Sequence, residues 1–397
     1  MKIPFNRFEF TPEEIGEALK ALQSGHVAGA GPRGRAAEQL LSEIHGGADV
    51  LLTTSCTHAL EMSALLLNLE EGDEVIVPAF TFVSSALAFL AHGARPVFVD
   101  VREDTLNIDE SLIEEAITDR TRAICVVNYA GLGAELTQII AIAKRHNLVV
   151  IEDNAHGLGG IIQGRTLGTF GSMSTLSFHE TKNVSCGEGG ALVLNDPTLK
   201  ERAEILRDKG TNRSKFFRGQ VDKYTWVDKG SSWVLSDILA ALLPPQLENL
   251  DKNQQHRSKL WDTYWFGLQD WACKEGFTIP LRPEGVLQTS HLFHVRTNTL
   301  DQRSRLISSL AEAGISSVFH YQALHLSPMG QRLGYGAGQF PVSEKASDTL
   351  LRLPLYRSLS EAETAAIVDE LVTMGLRGQS ESPARPSVFN PHSFPSG

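Results

Sequence analysis

The stretch Glu135–Gly157, "ELTQIIAIAKRHNLVVIEDNAHG", decides the fold class. Its first half is helix-like, "LVVIED" is an apolar run of strand length, and the polar "EDNAHG" ends that run. The same alternation extends in both directions through residues 48–193. Strand-like runs recur as "DVLLTT", "DEVIVP", "RPVFVDV", "RAICVVNYA" and "GALVLN", with helix-like "THALEMSALLLNL", "FVSSALAFLAHG" and "DESLIEEAITDRT" among them. Such alternation predicts an α/β unit, a mostly parallel sheet with helices on both faces, whose ligands gather at the carboxyl ends of the strands. "TTSCT", "PAFTF", "NYAG" and "EDNAHG" each follow a strand run, so the chemistry is expected along one sheet edge.

At 397 residues the chain exceeds one small core and suggests two or three compact units. Pro244-Pro245 breaks one helix before a long one, and the pattern then changes. From about 275 to 376, two strands ("HLFHVRT", "SSVFHY") and two helices ("DQRSRLISSLAEAG", "SEAETAAIVDELVTMG") predict a smaller α+β domain. The expected division is a large domain at 1–245, a small C-terminal domain at 246–376 and a flexible Pro- and Ser-rich tail at 377–397. No run approaches the ~20 apolar residues of a membrane helix, and the start "MKIPFNRFEF" lacks the apolar core of a signal peptide. A net charge of −11 argues against broad nucleic-acid binding. Cys56, Cys125, Cys186 and Cys273 show no ligand spacing, so they read as reduced thiols of a cytoplasmic protein, with no metal site.

Lys182 lies in "LSFHETKNVSCGEGG" (176–190), between a strand-like run and a glycine-rich loop. A lone lysine reads first as a solvated charge; its company here suggests more. Upstream, "VVIED" ends in Glu152-Asp153, and a carboxylate there is costly to bury unless a cation meets it. Taken singly, Asp153 reads equally as a cap or a salt-bridge partner. "SCT" (Ser55, Cys56, Thr57) stands between a strand and an apolar helix, where backbone N–H groups and the helix dipole face an anion, although such caps are common. Ser177 adds a hydroxyl. Together these groups describe a pocket for a small aromatic cation bearing a phosphate and an aldehyde. Pyridoxal 5′-phosphate has those parts: lysine condenses with its aldehyde, and a carboxylate keeps its ring nitrogen protonated. The glycines of "CGEGG" let backbone pass close to that lysine.

The segments "SCTHALEM", "GDEVIVPAFTFVS", "FVDVREDTLNIDE", "SFHETKNVSCGEGGA", "DKGTNRSKFFRGQVDKYTW" and "LRLPLY" occur in one order over nearly the whole chain. In them the sequence resembles the sugar-nucleotide aminotransferases among the fold type I pyridoxal-phosphate enzymes, in particular the dTDP-4-amino-4,6-dideoxyhexose (galactose or glucose) transaminases. The resemblance implies a large domain with a mostly parallel seven-stranded sheet, a smaller α+β domain and a homodimer with shared active sites. It implies that Lys182 tethers the cofactor and moves protons, and that Asp153 pairs with the ring nitrogen. His156 would meet the ring hydroxyl, Phe82 would stack on the ring, and Cys56, Thr57 and Ser177 would hold the phosphate. In many relatives a neighbouring subunit adds an asparagine from a "G-x-N-x-R" stretch; here "GSSWVLSD" has Ser232 and Val234 at those places.

The implied reaction moves an amino group from L-glutamate to C4 of a dTDP-4-keto-6-deoxyhexose. The substrate diphosphate needs local positive charge, and Lys209, Arg213, Lys215, Arg218 and Lys223 stand in one excursion against the single Asp222. A solvated loop is the plain alternative. His320, Tyr321 and His325 of "FHYQALH" are further candidates near the sugar. Competing readings are a sugar dehydratase, in which histidine replaces the lysine, and a non-catalytic sugar-nucleotide regulator without the lysine or the aspartate. An NAD-dependent oxidoreductase would need a GxGxxG turn after a strand, which "AGAGPRG" (28–34) matches only in part.

Overall fold

The computed structural model describes residues 2–377. Two helices lead in: α1 (Pro12–Ser24), closed by a Thr11/Glu14 capping box, and α2 (Pro32–Ile44). Strand β1 (Asp49–Thr53), helix α3 (Cys56–Leu66), β2 (Glu74–Pro78), α4 (Ser84–Leu90), β3 (Arg95–Val99) and β4 (Thr121–Val127) then alternate. Helix α5 (Leu136–Arg145) and β5 (Val149–Asp153) follow, then a small hairpin, β6 (Ile161–Ile162) with β7 (Arg165–Thr166). The last sheet strands are β8 (Met173–Ser177) and β9 (Gly190–Leu194). The seven strands lie in the order β1-β9-β8-β5-β4-β2-β3. All run parallel except β9, which opposes both β8 and β1. β2 and β9 are buried at every position, because helices cover both faces of a largely parallel sheet.

The segment "DESLIEEAITDRT" departs from its helix reading. It forms two short 3-10 turns, Glu110–Leu112 and Glu114–Ala116. Asp109 caps the first through Ser111, and the chain is already extended at Ile117, so no α-helix propagates. The partial glycine motif begins α2 at Pro32, where the buried Asp237 carboxylate accepts from the N–H groups of Arg33 (3.2 Å) and Gly34 (2.7 Å). A carboxylate of the chain itself fills that helix start, which leaves no phosphate position there.

After β9 come α6 (Lys200–Arg207), α7 (Arg213–Phe217), α8 (Asp237–Ala240) and α9 (Pro244–Glu248). Asn249 separates α9 from the long α10 (Leu250–Glu275). Strand β10 (Phe293–Arg296), α11 (Leu300–Glu312), β11 (Val318–Phe319), α12 (Pro328–Arg332), α13 (Pro341–Thr349), β12 (Leu350–Leu353) and α14 (Glu361–Arg377) complete the chain. Here β12 is the middle strand of a three-stranded antiparallel sheet, between β10 and β11. One face of that sheet (Phe293, Val295, Leu351, Leu353) joins Trp261, Tyr264 and Ile367 in a core of its own. The tail expectation for 377–397 lies, beyond its first residue, outside the described residues. No helix among the described residues is long and apolar enough to cross a membrane.

Candidate active site

The register of the large sheet aligns its functional edge. Val127 of β4, Asp153 of β5 and Thr175 of β8 lie side by side, and Ser177 of β8 and Thr53 of β1 flank Gly190 of β9. Asp153 is buried there, accepting from Ser85 Oγ at 2.7 Å and from the Ala155 N–H at 3.2 Å. Burial raises its pKa, while those hydrogen bonds and the charge of Lys182 oppose the rise. Glu152 points to the other face of the strand. It is met by backbone donors instead of a cation: Gly168 at 2.8 Å, Phe170 at 2.7 Å and Gly171 at 2.9 Å, with the Asn128 amide at 3.3 Å.

Lys182 is half-buried in the loop from β8 to β9, in a turn closed by its N–H on the His179 carbonyl at 2.9 Å. Burial pushes the amine down to about 8; the Asp153 charge opposes that fall, and the Arg352 charge adds to it. Lysine and aspartate therefore lie within each other's electrostatic reach. Ser55 caps α3 by accepting from the His58 N–H at 3.1 Å. Cys56 Sγ lies 3.5 Å from Thr175 Oγ1, and Thr57 Oγ1 lies 2.8 Å from Ser84 Oγ. Burial pushes the Cys56 thiol up, so it stays protonated. Gly190 sits against this helix start: a Cβ there would meet Cys56 N and the Ser55 carbonyl carbon at 2.4 Å. Only glycine permits so close a backbone approach.

His156 is buried and stacks on His291, with ring centroids 4.2 Å apart and planes 24° apart. Its Nδ1 accepts the Ala130 N–H at 3.3 Å, while His291 Nδ1 lies 2.9 Å from Oδ1 of Asn183, the residue after Lys182. His320 Nδ1 lies 2.8 Å from the Tyr129 hydroxyl, and its ring lies 3.5 Å from that of Tyr321. Burial lowers the pKa of His156, His291 and His320 well below the ordinary histidine value, so the three are neutral at pH 7. Phe82 is 56% exposed, its ring 6.1 Å from that of Tyr321. Tyr321 itself holds a left-handed backbone at φ 45°.

Other expected residues stand apart. His325 is buried against Glu344, Nε2 to Oε1 at 3.0 Å, with Phe340 at its ring edge. Glu344 is also bonded to the Gly338 N–H, so this pair ties α13 to a loop. The basic excursion is offset by acids that lie outside it in sequence. Arg218 forks onto Glu204 of α6 at 2.8 and 2.9 Å, Lys215 meets Glu201, and Lys209 and Arg213 share Asp208. Lys223 and Ser232 are exposed, Ser232 bridging Asp208 along the strand-like turn. None of these hydrogen bonds or ion pairs reaches Lys182. The sequence reading missed Ser85, Thr175, Tyr129, Asn183, His291 and Arg352. Of these, Tyr129 lay in the strand-end "NYAG", Asn183 in "SFHETKNVSCGEGGA" and Arg352 in "LRLPLY", without being singled out as residues.

The groups present fit pyridoxal phosphate: a half-buried lysine within electrostatic reach of a buried carboxylate, an aromatic face left open, and a capped helix start pressed on glycine. The comparisons agree. The DegT/DnrJ/EryC1/StrS aminotransferase family model matches residues 9–372. The uncharacterized protein MJ1066 of Methanocaldococcus jannaschii is 32% identical over 365 residues, 90% of this chain and 93% of its own. The putative sugar aminotransferase Spr1654 of Streptococcus pneumoniae, in its PMP form, superposes with a TM-score of 0.88 at 28% identity, covering 95% of this chain and all of that one (100%). DesV of S. venezuelae, in complex with a ketimine intermediate, gives 0.86 at 32% identity over 94% of this chain and 98% of its own. This chain belongs to the DegT/DnrJ/EryC1/StrS aminotransferase family, with pyridoxal 5′-phosphate as its cofactor.

Proposed function

We propose that the protein moves an amino group from L-glutamate to C4 of a dTDP-4-keto-6-deoxyhexose, releasing 2-oxoglutarate and a dTDP-4-amino-4,6-dideoxyhexose. What supports the amino-transfer part is the register that sets Asp153 beside Thr175 at the sheet edge, with Lys182 in the loop that follows β8 and its charge felt at Asp153. The nucleotide-sugar part rests on the ordered motifs "SCTHALEM" to "LRLPLY". When bound, pyridoxal phosphate supplies an electron sink that acidifies the carbon bearing the transferred nitrogen.

The chain's own groups do the rest. Lys182 tethers the cofactor, then, released, takes the proton from the donor Cα and later delivers one to the sugar C4. Its pKa near 8 suits an amine that alternately accepts and donates near neutral pH. Asp153 holds the ring nitrogen protonated, and Ser85 orients the carboxylate for it. His156 meets the ring hydroxyl and is itself braced from behind by His291. Phe82 covers one ring face, while Cys56, Thr57 and Ser177 hold the phosphate, with Ser232 offered to a neighbouring subunit. Lys209, Arg213, Arg218 and Lys223 meet the nucleotide phosphates across a homodimer interface, and His320 and Tyr321 line the sugar side. Exposed Phe82, Val83 and Leu87 on one side, and Ile15, Leu19 and Leu22 on α1, support burial against a second copy. The reading places the reaction in the cytoplasm, where Cys56, Cys125, Cys186 and Cys273 stay thiols.

The test incubates the protein with pyridoxal phosphate, L-glutamate and dTDP-4-keto-6-deoxyglucose, and reads the proton couplings at C4 of the product by NMR. An amino sugar with resolved axial or equatorial C4 geometry is expected. No amino sugar would reject the assigned acceptor.

A further inference from the structure

Between α10 and β10, the segment Leu287–His291 is laced to the functional edge of the large sheet. Leu287 exchanges both backbone hydrogen bonds with Ile161, at 2.8 and 2.9 Å. The Thr289 N–H donates to the Gly131 carbonyl at 3.1 Å, beyond the end of β4. Its hydroxyl donates to the His156 carbonyl at 2.5 Å, beyond the end of β5. Gly131 permits that approach, because a Cβ there would overlap Thr289 Oγ1 at 1.8 Å. From the loop that carries Lys182, the Asn183 amide donates to the Thr289 carbonyl at 2.9 Å. Thr289 alone thus ties together the segments that bear Gly131, His156 and Asn183.

From its other side the segment is clamped by α10. The buried Arg257 turns its guanidinium to three carbonyls: Nε to Ser290 at 3.2 Å, and Nη2 to His291 at 2.6 Å and Leu355 at 3.1 Å. Gln254 meets the Gln288 carbonyl at 3.2 Å. Ser290 holds a left-handed backbone at φ 48°, which a non-glycine residue keeps only where its surroundings dictate it. His291 is given a fixed direction by this clamp. With the Asn183 NH2 on Thr289, its Oδ1 faces His291 Nδ1 at 2.9 Å, so Nδ1 carries the proton and donates. The same ring lies on His156, whose Nδ1 accepts the Ala130 N–H, so the His156 proton is on Nε2.

We propose that His291 is a positioning residue with two separable jobs at the Lys182 site: its Nδ1–H anchors the Lys182 loop through Asn183, and its ring holds His156 in the orientation that meets the cofactor's ring hydroxyl. The assignment rests on the reading that Lys182 tethers the cofactor and His156 meets that hydroxyl. Neither job needs His291 to touch a substrate. Asn183 immediately follows Lys182, so freeing its side chain loosens the amine, whereas removing the His291 ring takes away the backing of His156. The two jobs use different atoms, and substitution separates them. Phenylalanine keeps a flat ring on His156 without an N–H, and asparagine keeps an amide N–H near the Nδ1 position without a ring.

The test compares the full chain as wild type, His291→Phe, His291→Asn, Asn183→Leu and the Asn183→Leu/His291→Phe double variant, each checked for an unchanged melting temperature. Two readouts need no substrate: the rate at which apoprotein takes up pyridoxal phosphate covalently, and the pH midpoint of the visible absorbance once it is bound. His291→Phe and Asn183→Leu are each expected to slow uptake at least fivefold. The double variant is expected to be no slower than the slower single, because both remove the same hydrogen bond. His291→Asn is expected to keep uptake within twofold and to move the pH midpoint by at least half a unit, which His291→Phe leaves in place. With glutamate, His291→Phe is expected to lower the maximal rate about tenfold and to keep the half-saturating concentration within twofold, as for a residue that touches no substrate. Additive losses in the double variant, or uptake within twofold of wild type in both singles, would overturn the anchor; Asn183→Leu alone decides this if His291→Phe fails to fold. An unmoved midpoint in His291→Asn would overturn the brace. A raised half-saturating concentration at an unchanged maximal rate would make His291 a substrate ligand and overturn the positioning role. A wild type that takes up the cofactor on Lys182 yet does not react with glutamate would reject the donor, with uptake and midpoint still deciding the two jobs of His291.

Discussion

At the scale of single residues, the proposed chemistry turns on one amine, Lys182, held near pKa 8 by burial. The free amine is the form that condenses with an aldehyde, and an ordinary lysine reaches it only near pH 10.4. The rate at which apoprotein takes up pyridoxal phosphate is therefore expected to rise with pH and to reach half its maximum near pH 8. Stopped-flow absorbance between pH 6.5 and 10 checks this, and a midpoint above 10 would mean that the amine is solvated. Lys182→Ala is expected to lose the visible absorbance of the covalent cofactor and to slow amino transfer by roughly 10²–10⁴-fold or more, the usual range for removing a positioned proton-transfer group. Added methylamine restoring part of the rate would separate lost chemistry from lost folding. Lys182 and Asp153 were legible in the sequence because strand-end position and residue type together restrict what they can do. Ser85, His291 and Arg352 were not, because each reaches the site from a distant element and its type is ordinary for a helix or strand. His325 shows the converse: a motif neighbour of His320 whose partner, Glu344, could be found only in three dimensions.

At the scale of elements, runs that bury on both faces announced themselves, and β1 to β5 lie where the apolar stretches were read. β12 escaped because "LLRL" is short and carries an arginine at its centre, which a one-sided sheet tolerates and a pattern reading does not. The basic excursion shows the limit of counting along the chain: within its own residues it has one acid, but α6 turns Glu201 and Glu204 toward it. Helix starts decide local stability in the same way. Asp237 serves two orphan N–H groups at the start of α2 from a buried position. Asp237→Ala leaves both unsatisfied in a tight space, and the expected cost is about 1–3 kcal/mol. Asp237→Asn, which retains one acceptor oxygen, is expected to lose less than the alanine variant. Chemical denaturation of the apoprotein measures both, and equal losses would show that the carboxylate does not act as a cap.

At the scale of the molecule, the large and small sheets meet through aromatic and imidazole rings beside an apolar cluster of Phe80, Val101, Leu106 and Val127 with Ala346 and Leu350. His156 and His291 stack across that junction, His320 meets Tyr129, and His294 lies 6.2 Å from the Tyr129 ring between Arg296 and Arg352. Burial holds all four histidines below their ordinary pKa of 6.5, His294 at about 3. In the unfolded chain each takes its proton as pH falls through 6.5, whereas the native chain stays neutral until its own lower value. Below 6.5 the unfolded state thus binds more protons, so stability drops as pH drops, by up to about 1.4 kcal/mol per pH unit for each histidine. Asp153 and Glu152, raised by burial, work in the opposite sense, in a window that begins at the ordinary carboxylate range and extends upward from it. The apoprotein is expected to lose melting temperature steadily from pH 7.5 to 5.5. His294→Leu removes one of these protons from the balance, since leucine fills the space beside Arg296 and Arg352 without titrating. Its unfolding free energy is expected to match wild type or fall below it at pH 7.5, and to decline less steeply by about one proton's worth below pH 6.5. Denaturant titrations at four pH values measure that slope directly, and parallel slopes for the two proteins would mean that His294 is protonated in the native chain and that the junction is wet.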